Sequence, residues 1–155
     1  MERVIKIDIN SEEHLLEKYD TSIVNHQLIE YIIKKSLYFD KVDTIKIVIN
    51  NKCNTNVFIR EKIIEGLKLE YSLKIKEHYR NNLIQFLLLL LGITFLFFST
   101  FFGEKLIWKE VMVIGGWVPI WEMVRIELFD ESKIRRIKKL IIKLIKSEFE
   151  IENNK

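Results

Sequence analysis

Cysteine, proline and glycine are scarce: the 155 residues hold one Cys, one Pro and five Gly. A lone Cys53 cannot close an intramolecular disulfide, so nothing points to an oxidising compartment. There is no Pro/Gly/Ser-rich linker, no internal repeat and no low-complexity tail. His14, His26 and His78 are scattered, with no i, i+4 partner and no neighbouring Cys, which argues against a metal site. No P-loop, GxGxxG, GxSxG or HExxH pattern occurs. Glu12 and Glu13 are adjacent and face apart on a helix, so they form no carboxylate pair. Tyr19, Asp20, Thr21 and Ser22 read most simply as a helix break. These absences argue against an enzyme and imply no cofactor.

The most telling absence is of charge. Leu83 to Phe102 reads LIQFLLLLLGITFLFFSTFF, twenty residues without a charged side chain, fifteen of them Leu, Ile or Phe. A helix of that length covers about 30 Å, the hydrocarbon thickness of a bilayer. Fifteen such side chains at roughly −0.4 kcal/mol each favour insertion by about 6 kcal/mol. A core helix in water needs a polar stripe, and this run has none. It follows 82 residues with a folded pattern, so it does not read as a cleaved signal peptide.

A second apolar run follows a tight reversal at Gly103, Glu104 and Lys105. Leu106 to Phe129 is LIWKEVMVIGGWVPIWEMVRIELF. Its uncharged part, Val111 to Trp121, is too short to cross alone. The full run is long enough, with Lys109 and Glu110 at the outer interface and Trp108 and Trp121 as interfacial anchors. The pattern predicts a two-helix transmembrane hairpin over 83–129, with spans at 83–102 and 106–129; a re-entrant or interfacial helix is the fallback for the second. Lys68, Lys74, Lys76 and Arg80 precede the first span, and seven Lys or Arg follow the second between Asp130 and Lys146. The reversal carries only Lys105 and Lys109, so both termini are expected to be cytosolic in an inner membrane.

The flanks predict a small cytosolic α/β domain built from both ends of the chain. Ile5, Ile7 and Ile9 alternate with polar residues, as do Ile45, Ile47 and Ile49 in TIKIVIN, giving two strands. Asn10 and Ser11 can cap a short helix through Tyr19. A second helix from about Gln27 to Leu37 would place Leu28, Tyr31, Ile32 and Lys35 on one face. Strand, helix and strand in that order want a right-handed crossover and a parallel pair. Asn50, Asn51, Asn54 and Asn56 make a polar turn cluster. Between Phe58 and Asn82, Ile63, Ile64, Leu67, Tyr71, Ile75 and His78 make a helical stripe, while Leu67, Leu69, Tyr71, Leu73 and Ile75 alternate as in a strand. The helix is favoured, because no turn residues separate this stretch from the first span. Ser132 to Lys146 is a basic amphipathic helix lined by Ile134, Ile137, Ile141, Leu144 and Ile145, and EFEIE at 148–152 is a final strand. The domains expected are 1–82, 83–129 and 130–155, the last packing on the N-terminal part.

Three constellations are candidates for function. Gly92 lies twelve residues before Glu104, and Gly115 and Gly116 lie eleven and twelve after it, so both helices have small residues at the midplane. This suits packing within the hairpin, or contact between subunits or a hinge, and Pro119 supports the hinge by removing a helix hydrogen bond. Glu122, Arg125 and Glu127 stand at the inner mouth, where they form a paired anchor or a ring of charge in an oligomer. Arg135, Arg136, Lys138, Lys139 and Lys143 could contact an anion or lipid headgroups. The apolar stripe of their helix can pack on the cytosolic sheet, lie on the inner leaflet or bundle with copies of itself.

The segment VIGGWVPIWE at 113–122, followed by Glu127, Leu128, Phe129 and Asp130 and a basic helix, resembles a group of small bacterial two-span membrane proteins. In that group a GWVAxW segment in the second span leads to an acidic residue and an Arg-rich helix. Pro119 stands where the group has a small residue, and its YDWW-like element is reduced here to Phe129 and Asp130. The resemblance implies two spans with cytosolic ends and carries no activity. The expectation is a non-enzymatic oligomeric membrane protein, a pore-forming or channel-like effector of a stress or antiviral response gated by its cytosolic domain. The alternatives are a membrane anchor or scaffold and a sensor of an anionic nucleotide or oligonucleotide. The implied partners are the lipid bilayer, further copies of the chain, and a cytosolic protein or a nucleotide or oligonucleotide ligand.

Overall fold

The computed structural model describes residues 2–9, 15–16, 24–39, 44–51, 59–102 and 106–153. The elements are β1 (Glu2–Ile9), α1 (His26–Ser36), β2 (Thr44–Asn51), α2 (Ile59–Ser99), a 3-10 turn (Thr100–Phe102), α3 (Leu106–Arg125), a π-helical segment (Ile126–Glu131), α4 (Ser132–Ile145) and β3 (Glu148–Asn153). The Asp20–Ser22 break, the Gly103–Lys105 reversal, Asn54, Asn56 and Cys53 lie outside the described residues, as does most of the helix expected before Tyr19. The chain divides into two compact units, residues 1–73 with 136–155, and residues 74–135.

The first unit is a parallel sheet in the order β1-β2-β3, under helices. Its register aligns Ile5 with Ile47 and Phe149, and Ile7 with Ile49 and Ile151. The period-2 pattern therefore puts one apolar row over another on one face. That face meets Ile29, Ile32 and Ile33 of α1, Ile59, Ile63 and Leu67 of α2, and Ile137, Ile141 and Leu144 of α4. Each such side chain contributes about 1.5–3 kcal/mol when fully buried. On the opposite face Lys46 pairs with Glu150 at 3.0 Å, and Asn50 Nδ2 donates to Asp8 Oδ1 at 2.6 Å.

Helix α1 starts where the Asn25 side chain accepts from the Gln27 N–H at 2.9 Å. Its buried face is Ile29, Ile32, Ile33 and Ser36, which corrects the expected Leu28, Tyr31, Ile32 and Lys35. Tyr31 is exposed, and Lys35 Nζ donates to its hydroxyl at 2.8 Å. Residues 28, 29 and 31–33 are all apolar or aromatic, so the stripe is wider than one face and the neighbour fixes its phase. That neighbour is Gly66 of α2, where a Cβ would lie 2.8 Å from Ile29 Cδ1. Buried Ser36 returns its hydroxyl to the Ile32 carbonyl at 2.6 Å, which is how a polar residue fits there.

Helix α2 is continuous for 41 residues. Its first turns follow the helical stripe, with Ile63 and Leu67 fully buried, while Leu69 and Leu73 are 52% and 43% exposed. Its Lys74–Ser99 part belongs to the second unit, with α3 and the π-helical segment. Among the described residues, α2 is the one helix long and apolar enough to cross a membrane, and only 11% of its most apolar stretch is buried. Helix α3 has 20 residues but includes Lys109, Glu110, Glu122 and Arg125. Its continuation beyond Arg125 is π-helical, and the second span expected at 106–129 is not established by length and composition.

Replacing Leu67 by Ala should remove about 2–5 kcal/mol of stability, whereas Leu69→Ala should change it by at most about 0.5 kcal/mol. Denaturant unfolding of the detergent-purified protein compares them; equal losses would contradict the helical packing of this stretch.

Candidate functional site

In the second unit α2 and α3 meet at glycines. A Cβ on Gly92 would lie 2.8 Å from the Gly116 carbonyl oxygen and 2.6 Å from Ile120 Cγ1. A Cβ on Gly116 would lie 3.0 Å from the Gly92 carbonyl oxygen and 2.7 Å from Leu96 Cγ. The two backbones thus touch, and each glycine receives a side chain from the other helix. Gly115 is less confined: its Cβ would meet the Phe95 ring at 3.3 Å. Of the proposed uses of these glycines, packing between α2 and α3 of one chain is the one with contacts behind it. Pro119 is buried inside α3, and its missing N–H removes the α-helical donor from the Gly115 carbonyl.

The candidate mouth charges pair with neighbours. Arg125 Nε and Nη2 donate to the two carboxylate oxygens of Glu122 at 2.8 and 2.7 Å, and Arg125 Nη1 lies 3.6 Å from Asp130. Arg135 Nη1 donates to Glu127 at 3.0 Å, and Gln85 Nε2 donates to the other Glu127 oxygen at 3.4 Å. Bidentate geometry makes the Glu122–Arg125 pair the strongest of these contacts, although each partner is about half exposed.

Glu131, not singled out from the sequence, is fully buried. A hydrogen bond of 2.5 Å joins its Oε2 to His78 Nδ1 on α2, and its Oε1 has no hydrogen-bond partner among the described residues. It ends the π-helical segment, whose buried residues are Ile126 and Glu131. Five-residue spacing is what i→i+5 turns bring to one face, and such segments occur often at functional sites. The signal was present in part, since His78 closes the apolar stripe of α2. Glu131 itself stands beside a basic run, where its charge marks no site.

The basic candidates separate by environment. Arg135 is engaged by Glu127, and Arg136 donates to the Leu37 carbonyl at 3.1 Å, just beyond the end of α1. Lys139 is exposed, Lys138 is half-buried and Lys143 lines a cavity of the first unit. The stripe Ile137, Ile141 and Leu144 packs into the first unit's core, which leaves neither the leaflet nor a self-bundle as its partner. Among the described residues no group of three or more His, Cys, Asp or Glu could hold a metal. Compared with protein-family models, curated proteins and solved structures, the chain matches none.

Gly92→Ala forces a shift against backbone and should destabilise by about 1–3 kcal/mol, outweighing the roughly 1 kcal/mol that Ala gains in helix propensity. Gly115→Ala should be near neutral, since its neighbour is a ring that can give. Thermal unfolding in detergent should rank Gly92→Ala below Gly116→Ala and Gly116→Ala below Gly115→Ala.

His78→Ala should cost about 1–3 kcal/mol by stranding a buried carboxyl. Glu131→Leu in that background should recover much of the loss. A double-mutant cycle with no coupling would show that the bond adds nothing.

Proposed function

We propose that the chain is a non-enzymatic protein of the cytoplasmic membrane. In this reading α2 and α3 cross the bilayer as a hairpin, with both termini cytosolic. The observation that carries it is the outer half of α2: an uncharged stretch whose Leu83, Phe86, Leu87, Leu90, Phe97 and Phe98 all face outward. Water would charge about 25 cal/mol for each Å² of that surface, and lipid tails would not. The hydroxyls agree with it. Thr94, Ser99 and Thr100 each donate to a carbonyl three or four residues back, at 2.6–2.7 Å, so they carry no unmet donor into hydrocarbon. Lys and Arg crowd both inner flanks and are few in the reversal, which supports the orientation.

Within the membrane the chain acts as an oligomeric, channel-like effector, with the first unit receiving a cytosolic signal. Pro119, the orphaned Gly115 carbonyl and the π-helical segment supply places where α3 can change shape. A second reading, an anchor that holds a cytosolic partner at the membrane, is favoured by different observations. The inner charges are paired within the chain, and the Gly92–Gly116 contact is also internal.

Four measurements test these readings together. The expressed protein should sediment with membranes after carbonate washing, and tags at both termini should be labelled from the cytosolic face alone. Purified protein in liposomes should release trapped ions and have the mass of an oligomer in detergent. A protein left in the supernatant would end the membrane reading. A monomer without ion flux would leave the anchor.

A further inference from the structure

The first unit contains a cavity of about 410 Å³ where the N-terminal ends of β2 and β3 meet the C-terminal end of α4. Its volume lies within the range of small-molecule sites, roughly 300–1,000 Å³. Three lysines line it from separate places: Lys46 from β2, Lys143 from the last turn of α4, and Lys146 from the turn before β3. Thr44 and Ser147 add hydroxyls, buried Ile45 supplies an apolar wall, and Glu148 is the one acid in the lining.

We propose that this cavity binds a phosphoryl group, from a soluble phosphate ester or from a lipid headgroup. Helix-end chemistry accounts for part of the set, because Lys143 and Lys146 complement the negative end of α4. Lys46 reaches the same space from β2, where its ammonium group is paired with Glu150 of the next strand. Lys46 is held by Glu150 at 3.0 Å, and Lys143 also has a partner within the protein, so both ammonium groups are positioned before any ligand arrives. A phosphoryl group presents three oxygens in different directions and suits several point-like ammonium donors better than a planar carboxylate does. The hydroxyls of Thr44 and Ser147 can complete its coordination, with Ser147 now donating to the Leu144 carbonyl at 2.7 Å. The wall at Ile45 suits the carbon part of an ester. This site does not depend on the reading of the membrane helices.

The test is calorimetric titration of inorganic pyrophosphate into the full chain in nanodiscs of phosphatidylcholine. Lys146→Gln, an exposed position whose change should spare the fold, should weaken binding about tenfold, a difference of about 1.4 kcal/mol. Lys139→Gln, on α4 but outside the cavity, should leave it almost unchanged. Adding phosphatidylglycerol to the discs separates the two sources. Displacement of pyrophosphate supports a headgroup ligand, and undiminished binding supports a soluble one. No binding at millimolar pyrophosphate in phosphatidylcholine discs overturns the proposal. So does an equal loss in Lys139→Gln, which would mean general attraction to a basic surface.

Discussion

A helix of 41 residues, about 60 Å long, cannot bury its own surface, and the rest of the chain is arranged around what that surface needs. Its first turns offer one apolar stripe, Ile59, Ile63 and Leu67, and the sheet, α1 and α4 supply the matching core. Its later turns are apolar and largely exposed among the described residues, with α3 touching them at Gly92 and Gly116. The same helix thus presents two different demands. Protein meets the first, and most of the second faces outward among the described residues.

Along this exposed apolar stretch, polar atoms are satisfied locally. The hydroxyls of α2 turn back on their own helix, and the neighbouring helix comes close enough at Gly92 and Gly116 for backbone to touch backbone. Glycine on both helices is what permits contact at this range. The charged residues beyond Trp121 follow the same logic, with Glu122 taken by Arg125 and Glu127 by Arg135. Glu131 is the exception. One of its oxygens is bonded and the other is buried without a donor, an arrangement that persists only if the surrounding packing outweighs it. It ends the π-helical segment, so the unmet carboxylate oxygen and the departure from α geometry coincide.

How much of this the sequence disclosed varies with the physical scale of the signal. Alternation of Ile at 5, 7 and 9 and at 45, 47 and 49 fixes the strand faces, because period 2 admits no other assignment. EFEIE had the same pattern, and it pairs beside β2. Between 58 and 82 both periods fitted. The helical one holds because α2 runs unbroken, and a strand would have needed a turn before Leu83. The phase of α1 was not legible: five apolar or aromatic side chains in six positions leave the choice to Gly66 of a distant helix. The level match of Gly92 with Gly116 was legible by counting from Glu104. The pairing of Glu131 with His78 was not, because it joins residues 53 apart through an i→i+5 segment that no residue pattern marks.

The basic helix shows why charge alone is a poor guide to partners. From the sequence, α4 has the composition of a peptide that lies on an anionic membrane, with one apolar side and one cationic side. Such a peptide must have its apolar side available, and here Ile137, Ile141 and Leu144 belong to the core of the first unit. The cationic side is divided as well. Arg135 neutralises a carboxylate and Arg136 caps a carbonyl beyond α1, which are tasks the fold sets for itself. Lys139 on the surface and Lys146 at the cavity are exposed, and Lys143 lines the cavity with a partner of its own. A partner recognised there meets a concave site with side chains from two elements and a turn, so shape as well as sign decides what binds.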